Sequence, residues 1–313
     1  MSDALKTMVV VTGGSGFLGQ NVIKYLASCG FGGVILDIKK PTDPQLIDIL
    51  NSGSWKFYEC DFSSAKSLCV FKSPAEPFYL IHLAGIVTTT NALTTTVVSE
   101  VQTQVNGVFT LLNHLGSALK GVALTSTIET YGFPETLPIN ETHPTDPFNI
   151  YGTVKLTLEY FLNIYCKSSR RPLAILRLPQ IYGPGDTYAK AIPTFIKNCL
   201  QGKPSSIVNE GSDIREFVHV NDVGLALSLS ISKMANGIFN ITGGCPVSIA
   251  ETLKLVQGIC GSDITAENRS SNKQQLGYSF DLSKSRRELG YAPTVKFEDG
   301  LKSEVQWLKG CLA

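Results

Sequence analysis

The sequence predicts an α/β fold, a doubly wound parallel sheet with a smaller, discontinuous C-terminal part. Three observations predict it. Short apolar runs alternate with longer helical patterns through the first half of the chain. Those runs are continuously apolar instead of alternating, which marks strands buried on both faces. The first run stops at a glycine cluster, Gly13-Gly14-Ser15-Gly16-Phe17-Leu18-Gly19.

The elements follow in order. Met8-Val9-Val10-Val11 is a β-branched run and the first strand. Apolar residues at 18, 22, 23 and 26 then give a helical spacing over Phe17 to Ala27. Further strands are read at Val34-Ile35-Leu36, Lys56-Phe57-Tyr58, Phe78-Tyr79-Leu80-Ile81, Val122-Ala123-Leu124 and Leu173-Ala174-Ile175-Leu176. Helices are expected at about 99–118 and 151–166. Pro179, Gly183, Pro184 and Gly185 mark a loop. Helices at about 189–201 and 221–233 follow, and Gly237-Ile238-Phe239-Asn240-Ile241 reads as a strand rejoining the sheet. The tail from Ser248 is mostly helical and more polar. Residues 1–178, rejoined by 221–243, are assigned to a cofactor-binding Rossmann domain, and 179–220 with 244–313 to a substrate-binding domain.

Composition narrows the function classes. The chain has 313 residues, 43% of them hydrophobic, with a formal net charge of +1. No basic block stands out, and pairs such as Lys39-Lys40 and Arg170-Arg171 are too short to suggest nucleic acid. Eight cysteines stand at 29, 60, 69, 166, 199, 245, 260 and 311, with no CxxC pair. No metal site or disulfide framework is expected, and reduced thiols suit the cytoplasm. No apolar run is long enough for a membrane span, and the start Met1-Ser2-Asp3-Ala4-Leu5-Lys6 carries no signal region.

The glycine loop follows a strand and opens an amphipathic helix, the arrangement that binds a dinucleotide. Gly13 turns the chain off the strand, Gly16 lets backbone approach a pyrophosphate, and Gly19 packs helix on sheet. The helix N-terminus offers N–H groups and partial positive charge. Asp37 ends the second strand, where a carboxylate binds the adenosine ribose hydroxyls and repels a 2′-phosphate. NAD is therefore expected as cofactor. Downstream, Tyr151 and Lys155 form an i, i+4 pair on one helix face. A nearby ammonium is expected to lower the phenol's pKa from about 10 and make it an acid or base. Thr127, just past the fifth strand, lies at the sheet's C-terminal edge and would hydrogen-bond a substrate oxygen.

Together with Asp61-Phe62, His82-Leu83-Ala84-Gly85, Asn106, Ser126-Thr127 with Tyr131-Gly132, Leu176 to Pro179, Tyr182 to Gly185, Arg215 to Asp222 and Phe280 to Lys284 followed by Leu289-Gly290-Tyr291, these motifs span nearly the whole chain. The sequence resembles the extended short-chain dehydrogenase/reductase superfamily, specifically its NAD-dependent epimerase/dehydratase group. The resemblance implies that Phe17 and Leu18 give N–H groups to the pyrophosphate and that Asp61 and Phe62 flank the adenine. Leu83, Ala84 and Gly85 would line the cofactor, with Pro179 by the nicotinamide. Thr127, Tyr151 and Lys155 would be catalytic, and the two long helices would pair into a homodimer interface.

The resemblance also frames the reaction. Glu129 stands where the family's dehydratases carry a Glu, but the preceding acid is replaced by Ile128, which disfavours a 4,6-dehydratase. Glu129 could still bind a substrate hydroxyl. Gln180 replaces an Asn, and Tyr278 an Arg, that many relatives carry; Arg215 keeps a position that often grips the diphosphate. The leading expectation is epimerisation of a nucleotide sugar through a transient keto intermediate. The alternative is an NAD-linked dehydrogenase or reductase of a non-nucleotide alcohol or ketone. A non-catalytic NAD-binding regulator fits poorly with an intact Thr127, Tyr151 and Lys155 set.

Overall fold

The computed structural model describes residues 7–86, 91–270 and 277–312. Met1 to Lys6, on which the reading of the chain's start rests, lie outside the described residues. The first half runs β1 (Met8–Thr12), α1 (Phe17–Ser28), β2 (Gly32–Asp37), α2 (Pro44–Asn51), β3 (Trp55–Glu59), α3 (Ala65–Leu68), β4 (Phe78–His82), α4 (Thr95–Leu115), β5 (Leu119–Thr127), α5 (Ile150–Ser168) and β6 (Leu173–Leu178). The second half runs β7 (Gln180–Tyr182), α6 (Ala191–Leu200), β8 (Ser206–Val208), β9 (Ile214–Arg215), β10 (Phe217–His219), α7 (Val220–Ser232), β11 (Gly237–Asn240), β12 (Val247–Ser248), α8 (Ile249–Cys260), β13 (Glu267–Arg269) and α9 (Phe297–Leu312).

The main sheet has seven strands in the order β11-β6-β5-β4-β1-β2-β3. Every neighbouring pair is parallel, with Val10 opposite both Val34 and Leu80. All seven apolar runs read from the sequence are strands of this sheet, including Gly237–Asn240, where Phe239 pairs with Leu176. The strand order reverses beside β1, and α/β sheets of this kind bind ligands at that reversal.

Side-chain alternation explains the continuous apolar runs. Val9 and Val11 enter one buried cluster with α1, α2 and α7 residues such as Ile23, Leu46 and Leu227. Val10, between them, enters a second cluster on the opposite face with α4 and α5 residues such as Leu111 and Leu158. Successive strand residues point to opposite faces, and both faces here are covered by helices. A third cluster joins α6, α8 and α9 through Ile196, Val256 and Leu301. It forms the core of the lobe that follows β6.

The sequence reading missed α2, the four-residue α3 and three two-stranded ribbons, β7 with β10, β9 with β12 and β8 with β13. The start of α2 carries a legible signal. Asp43 caps it by accepting from Leu46 N–H at 2.9 Å, and Pro44 fills the first turn. The ribbon strands are two or three residues each, too short for any periodicity.

One buried acid ties α9 to the loop after β7. Glu304 is 1% exposed and accepts from Gly183 N–H at 2.8 Å through Oε2. Its Oε1 is buried with no hydrogen-bond partner. Asp186, 1% exposed, faces it and is paired with Lys190 at 3.2 Å. Burial and the Asp186 charge push the Glu304 carboxyl up to about 8 from an ordinary 4.5, against the Gly183 N–H and the Lys190 charge. The folded state therefore holds a proton that the unfolded chain releases between about pH 4.5 and about pH 8. Stability from this group is present at low pH and lost across that window, at up to about 1.4 kcal/mol per pH unit. Glu304→Gln is expected to flatten the dependence there and to melt higher than wild type above pH 8. Thermal melts of both proteins across the window test this; parallel curves would remove the assignment.

Candidate active site

The glycine loop closes on the segment after β4. Gly13 takes φ +72°, and a Cβ there would lie 2.8 Å from the Ala84 backbone. A Cβ on Gly19 would stand 2.1 Å from the Gly13 carbonyl. These two glycines are required by the fold itself. Gly16 differs. It caps α1, is exposed, and a Cβ there would meet only the Gly13 carbonyl at an ordinary 3.5 Å. The demand for glycine at 16 therefore fits a group outside the protein. The N-terminus of α1, opened by Phe17 and Leu18, has no side-chain cap and no acid in its first turn. Ser15 Oγ in the loop is buried without a partner. Uncapped N–H groups, an open glycine and an orphaned hydroxyl fit a pyrophosphate.

Asp37 borders the same loop. Its carboxylate accepts from Ser15 N–H at 2.9 Å and from Lys39 N–H at 3.0 Å. Replacing Asp37 with Ala is expected to raise KM for NAD about tenfold, since a charge-assisted bond is worth about 1.5–3 kcal/mol. Steady-state kinetics against NAD measure it, and an unchanged KM would sink the ribose assignment. Asp61 accepts from Ser63 N–H at 2.8 Å and Ser63 Oγ at 2.7 Å, so it builds the turn. Phe62 is wedged edge-on against His82, and its ring lies 2.6 Å from where a Gly107 Cβ would be. Leu83 packs on the sheet core, and Pro179 is buried just beyond β6.

The catalytic candidates converge at the C-terminal ends of β4 and β5. Thr127, 5% exposed, ends β5 and caps the short 3₁₀ turn Ile128–Thr130 by accepting from Glu129 N–H at 3.2 Å. That bond uses a lone pair and leaves the hydroxyl proton as a donor. Tyr151 lies in the first turn of α5. Lys155 Nζ is buried 6.0 Å from the Tyr151 ring centroid and donates to the Thr125 carbonyl at 3.0 Å. It also stands 3.2 Å from where a Gly85 Cβ would be, beside the cofactor segment.

One sequence expectation is corrected here. Tyr151 was expected to titrate below the ordinary range because of Lys155. Burial dominates instead and raises the phenol, with Glu129 and then Tyr188 pushing the same way. Burial lowers Lys155 to about 8, against the charge of Glu159. The structure also adds a residue on α4. Asn106 is exposed, whereas Gln104 is buried beside Lys155, 3.3 Å from the same Gly85 position. Gln104 Nε2 donates to the Ile86 carbonyl at 3.3 Å, and its Oε1 is buried with no partner. Gln104 thus joins the candidate site, a residue that the sequence reading did not single out.

The residues expected on the substrate side stand in three places. Glu129 is bound by Asn149 Nδ2 at 2.6 Å. Arg215 on β9 pairs with Asp213 at 2.9 Å and lies over the Tyr278 ring at 5.4 Å. Tyr278 is itself buried, stacked on Phe280 with centroids 6.2 Å apart, and donates to the Gly132 carbonyl at 3.3 Å. Gln180 begins β7, half-buried, opposite Phe217. Ile128 packs into the apolar cluster of Tyr131, Ile139, Tyr278 and Phe280.

The model for the NAD dependent epimerase/dehydratase family matches residues 9–242. The chain belongs to this family. It is an NAD-dependent enzyme of the extended short-chain dehydrogenase/reductase type. Over 312 residues it is 25% identical to a UDP-glucuronate 4-epimerase of Thermodesulfobacterium geofontis, covering 96% of this chain and 95% of the relative. It is 26% identical over 327 residues to a dTDP-glucose 4,6-dehydratase of Actinoplanes sp., covering 96% and 97%. The crystal structure of UDP-glucose 4-epimerase with UDP-glucose from Thermotoga maritima superposes with a TM-score of 0.85 at 26% identity, over 98% of this chain and 100% of that one. Epimerases and dehydratases of this family share the fold, so the reaction must be argued from the site. Among the described residues, no helix is long and apolar enough to cross a membrane.

Proposed function

We propose that this family member epimerises a nucleotide sugar through a transient keto intermediate. The observation that carries the reading is Ile128. Where a dehydratase needs a second acid beside Glu129, this chain packs a half-buried isoleucine against Tyr131, Ile139, Tyr278 and Phe280. A carboxylate in that cluster would be costly to desolvate. Elimination of water therefore lacks one of its two proton-transfer groups, while oxidation and re-reduction at one carbon lack nothing.

Tyr151 takes the proton from the substrate hydroxyl as the carbon is oxidised, and returns it when the ketone is reduced. Lys155 stays mostly charged at neutral pH and favours the phenolate over the phenol. Thr127 donates to the same substrate oxygen and fixes its direction. NAD, when bound, supplies the carbon that accepts and returns hydride. Gly13, Gly16, Phe17, Leu18, Gly19, Asp37, Asp61, Phe62, Leu83, Ala84, Gly85 and Pro179 are the residues that would hold it. Arg215, seated on Tyr278, would grip the diphosphate, and Gln180 and Glu129 would face the sugar.

The lobe division follows the same reading. Residues 1–178 with 221–243 hold cofactor, and 179–220 with 244–313 hold substrate. A homodimer forms through α4 and α5, whose outer faces expose Val98, Phe109, Tyr160, Phe161 and Ile164. Light scattering tests that; a monomeric mass removes it. We read the reducing cytoplasm as its compartment, a reading that the free cysteines among the described residues support.

Incubation with a panel of nucleotide sugars and simple alcohols tests the reaction. Isomeric sugars without net NADH are expected. Accumulating NADH would replace the reading with a dehydrogenase of a non-nucleotide alcohol.

A further inference from the structure

The two hydroxyls assigned to substrate arise on separate elements, Thr127 at the end of β5 and Tyr151 in the first turn of α5. Three consecutive hydrogen bonds join those elements. Glu129 N–H donates to Thr127 Oγ1 at 3.2 Å. Asn149 Nδ2 donates to the Glu129 carboxylate at 2.6 Å. Gly152 N–H donates to Asn149 Oδ1 at 2.7 Å, which makes Asn149 the N-cap of α5. The turn and the helix also meet backbone to backbone, since a Cβ on Gly152 would lie 2.8 Å from the Glu129 carbonyl. Asn91 supports the same end of α5, accepting from Ile150 N–H at 3.2 Å and donating to the Phe148 carbonyl at 3.4 Å.

We propose that Glu129 and Asn149 are positioning residues that set the distance between the Thr127 and Tyr151 hydroxyls. The inference rests on the reading of those two hydroxyls as catalytic. A cap alone needs only an acceptor, which Ser, Thr or Asp would supply as well. Joining the cap to a carboxylate is done here by a second atom, the amide nitrogen, whereas a Ser or Thr hydroxyl would have to serve both partners from one shorter oxygen and Asp has no donor. The bond to Glu129 is charge-assisted, the stronger kind. Glu129 leaves a second trace. Its charge and that of Tyr188 face the Tyr151 phenol and oppose its ionisation, while Lys155 lies on the same helix.

The test uses the full-length enzyme with NAD. Asn149→Ala is expected to melt lower and to lose kcat about a hundredfold, the effect of a misplaced reacting group, with KM for NAD near wild type. Asn149→Ser restores the cap but not the link to Glu129. It is expected to recover the melting temperature without recovering kcat. Glu129→Gln can still accept from Asn149, so its kcat should fall less than that of Glu129→Ala. With the charge gone, Tyr151 in Glu129→Gln should titrate at lower pH, read by NMR of ring-labelled tyrosine. Recovery of kcat in Asn149→Ser would reduce Asn149 to a cap and overturn the proposal. Equal losses in Glu129→Gln and Glu129→Ala would mean that the charge of Glu129, and not its link to Asn149, sets kcat, and overturn the proposal too. If wild type converts no nucleotide sugar, the epimerase reading falls by itself. The Tyr151 titration then still decides, because identical titrations in wild type and Glu129→Gln would remove the contact.

Discussion

Tyr151→Phe is expected to lower kcat by about 10²–10⁴-fold, the usual contribution of a positioned acid–base group. The variant keeps the ring that Lys155 approaches to 6.0 Å, so folding and NAD binding should change little. Burial holds the phenol above its ordinary value, so the phenolate needs the Lys155 ammonium beside it. Lys155 loses its proton around pH 8. Wild-type kcat should therefore decline as pH rises through about 8. Retention of activity within tenfold of wild type in Tyr151→Phe would refute the mechanism. A profile that keeps rising well above pH 8 would refute the role of Lys155 while leaving Tyr151 in place.

The second large effect concerns stability. Beneath the catalytic residues, Arg177 and Glu159 pair at 2.6 Å with side chains 3% and 4% exposed. Arg177 Nε adds a bond to Glu159 at 3.1 Å, and Ser126 Oγ donates to the same carboxylate. The guanidinium lies 4.5 Å over the Tyr131 ring, and Tyr131 donates to Asn240 at 2.7 Å. Glu159→Ala would strand a buried cation, and such losses run about 3–5 kcal/mol. Urea unfolding should show an unchanged slope and a lowered midpoint, the shift multiplied by the slope giving that loss. The double variant Glu159→Leu with Arg177→Met should recover most of it, because no charge is then left alone. A loss below about 1 kcal/mol in Glu159→Ala would mean that the pair behaves as a surface one.

Much of this was legible in the sequence where the constraint is local. Strands buried on both faces write continuous apolar runs, and all seven were read. The glycine loop was legible in part because Gly19 answers to the Gly13 carbonyl within the same loop, whereas the demand at Gly13 comes from the Ala84 backbone, far along the chain. Gln104 could have been found. It shares the buried stripe of Gly107, Val108, Leu111 and Leu115 on α4, and Asn106 falls off that stripe. Asn149 was also within reach, since Asn is a preferred cap and the Tyr151 helix had been placed. The direction of the Tyr151 shift was not legible. It depends on how much protein surrounds the phenol and on a glutamate brought in by another element. The Arg177–Glu159 pair joins a strand to a helix across the buried face, and nothing in the intervening residues announces it.

The route of the chain through its two lobes has a consequence for inheritance. The sheet is left at β6, the second lobe is begun, and the sheet is then completed by β11 before the chain departs again. No single cut can separate a finished cofactor sheet from the rest. A gene ending after Leu178 would encode a sheet with β6 as a bare border, its Ala174 to Arg177 backbone unpaired and ready to recruit foreign strands. Tyr131 would lose Asn240 with it. A single crossover cannot trade the second lobe as a cassette, so change in that lobe comes by substitution within an interleaved whole.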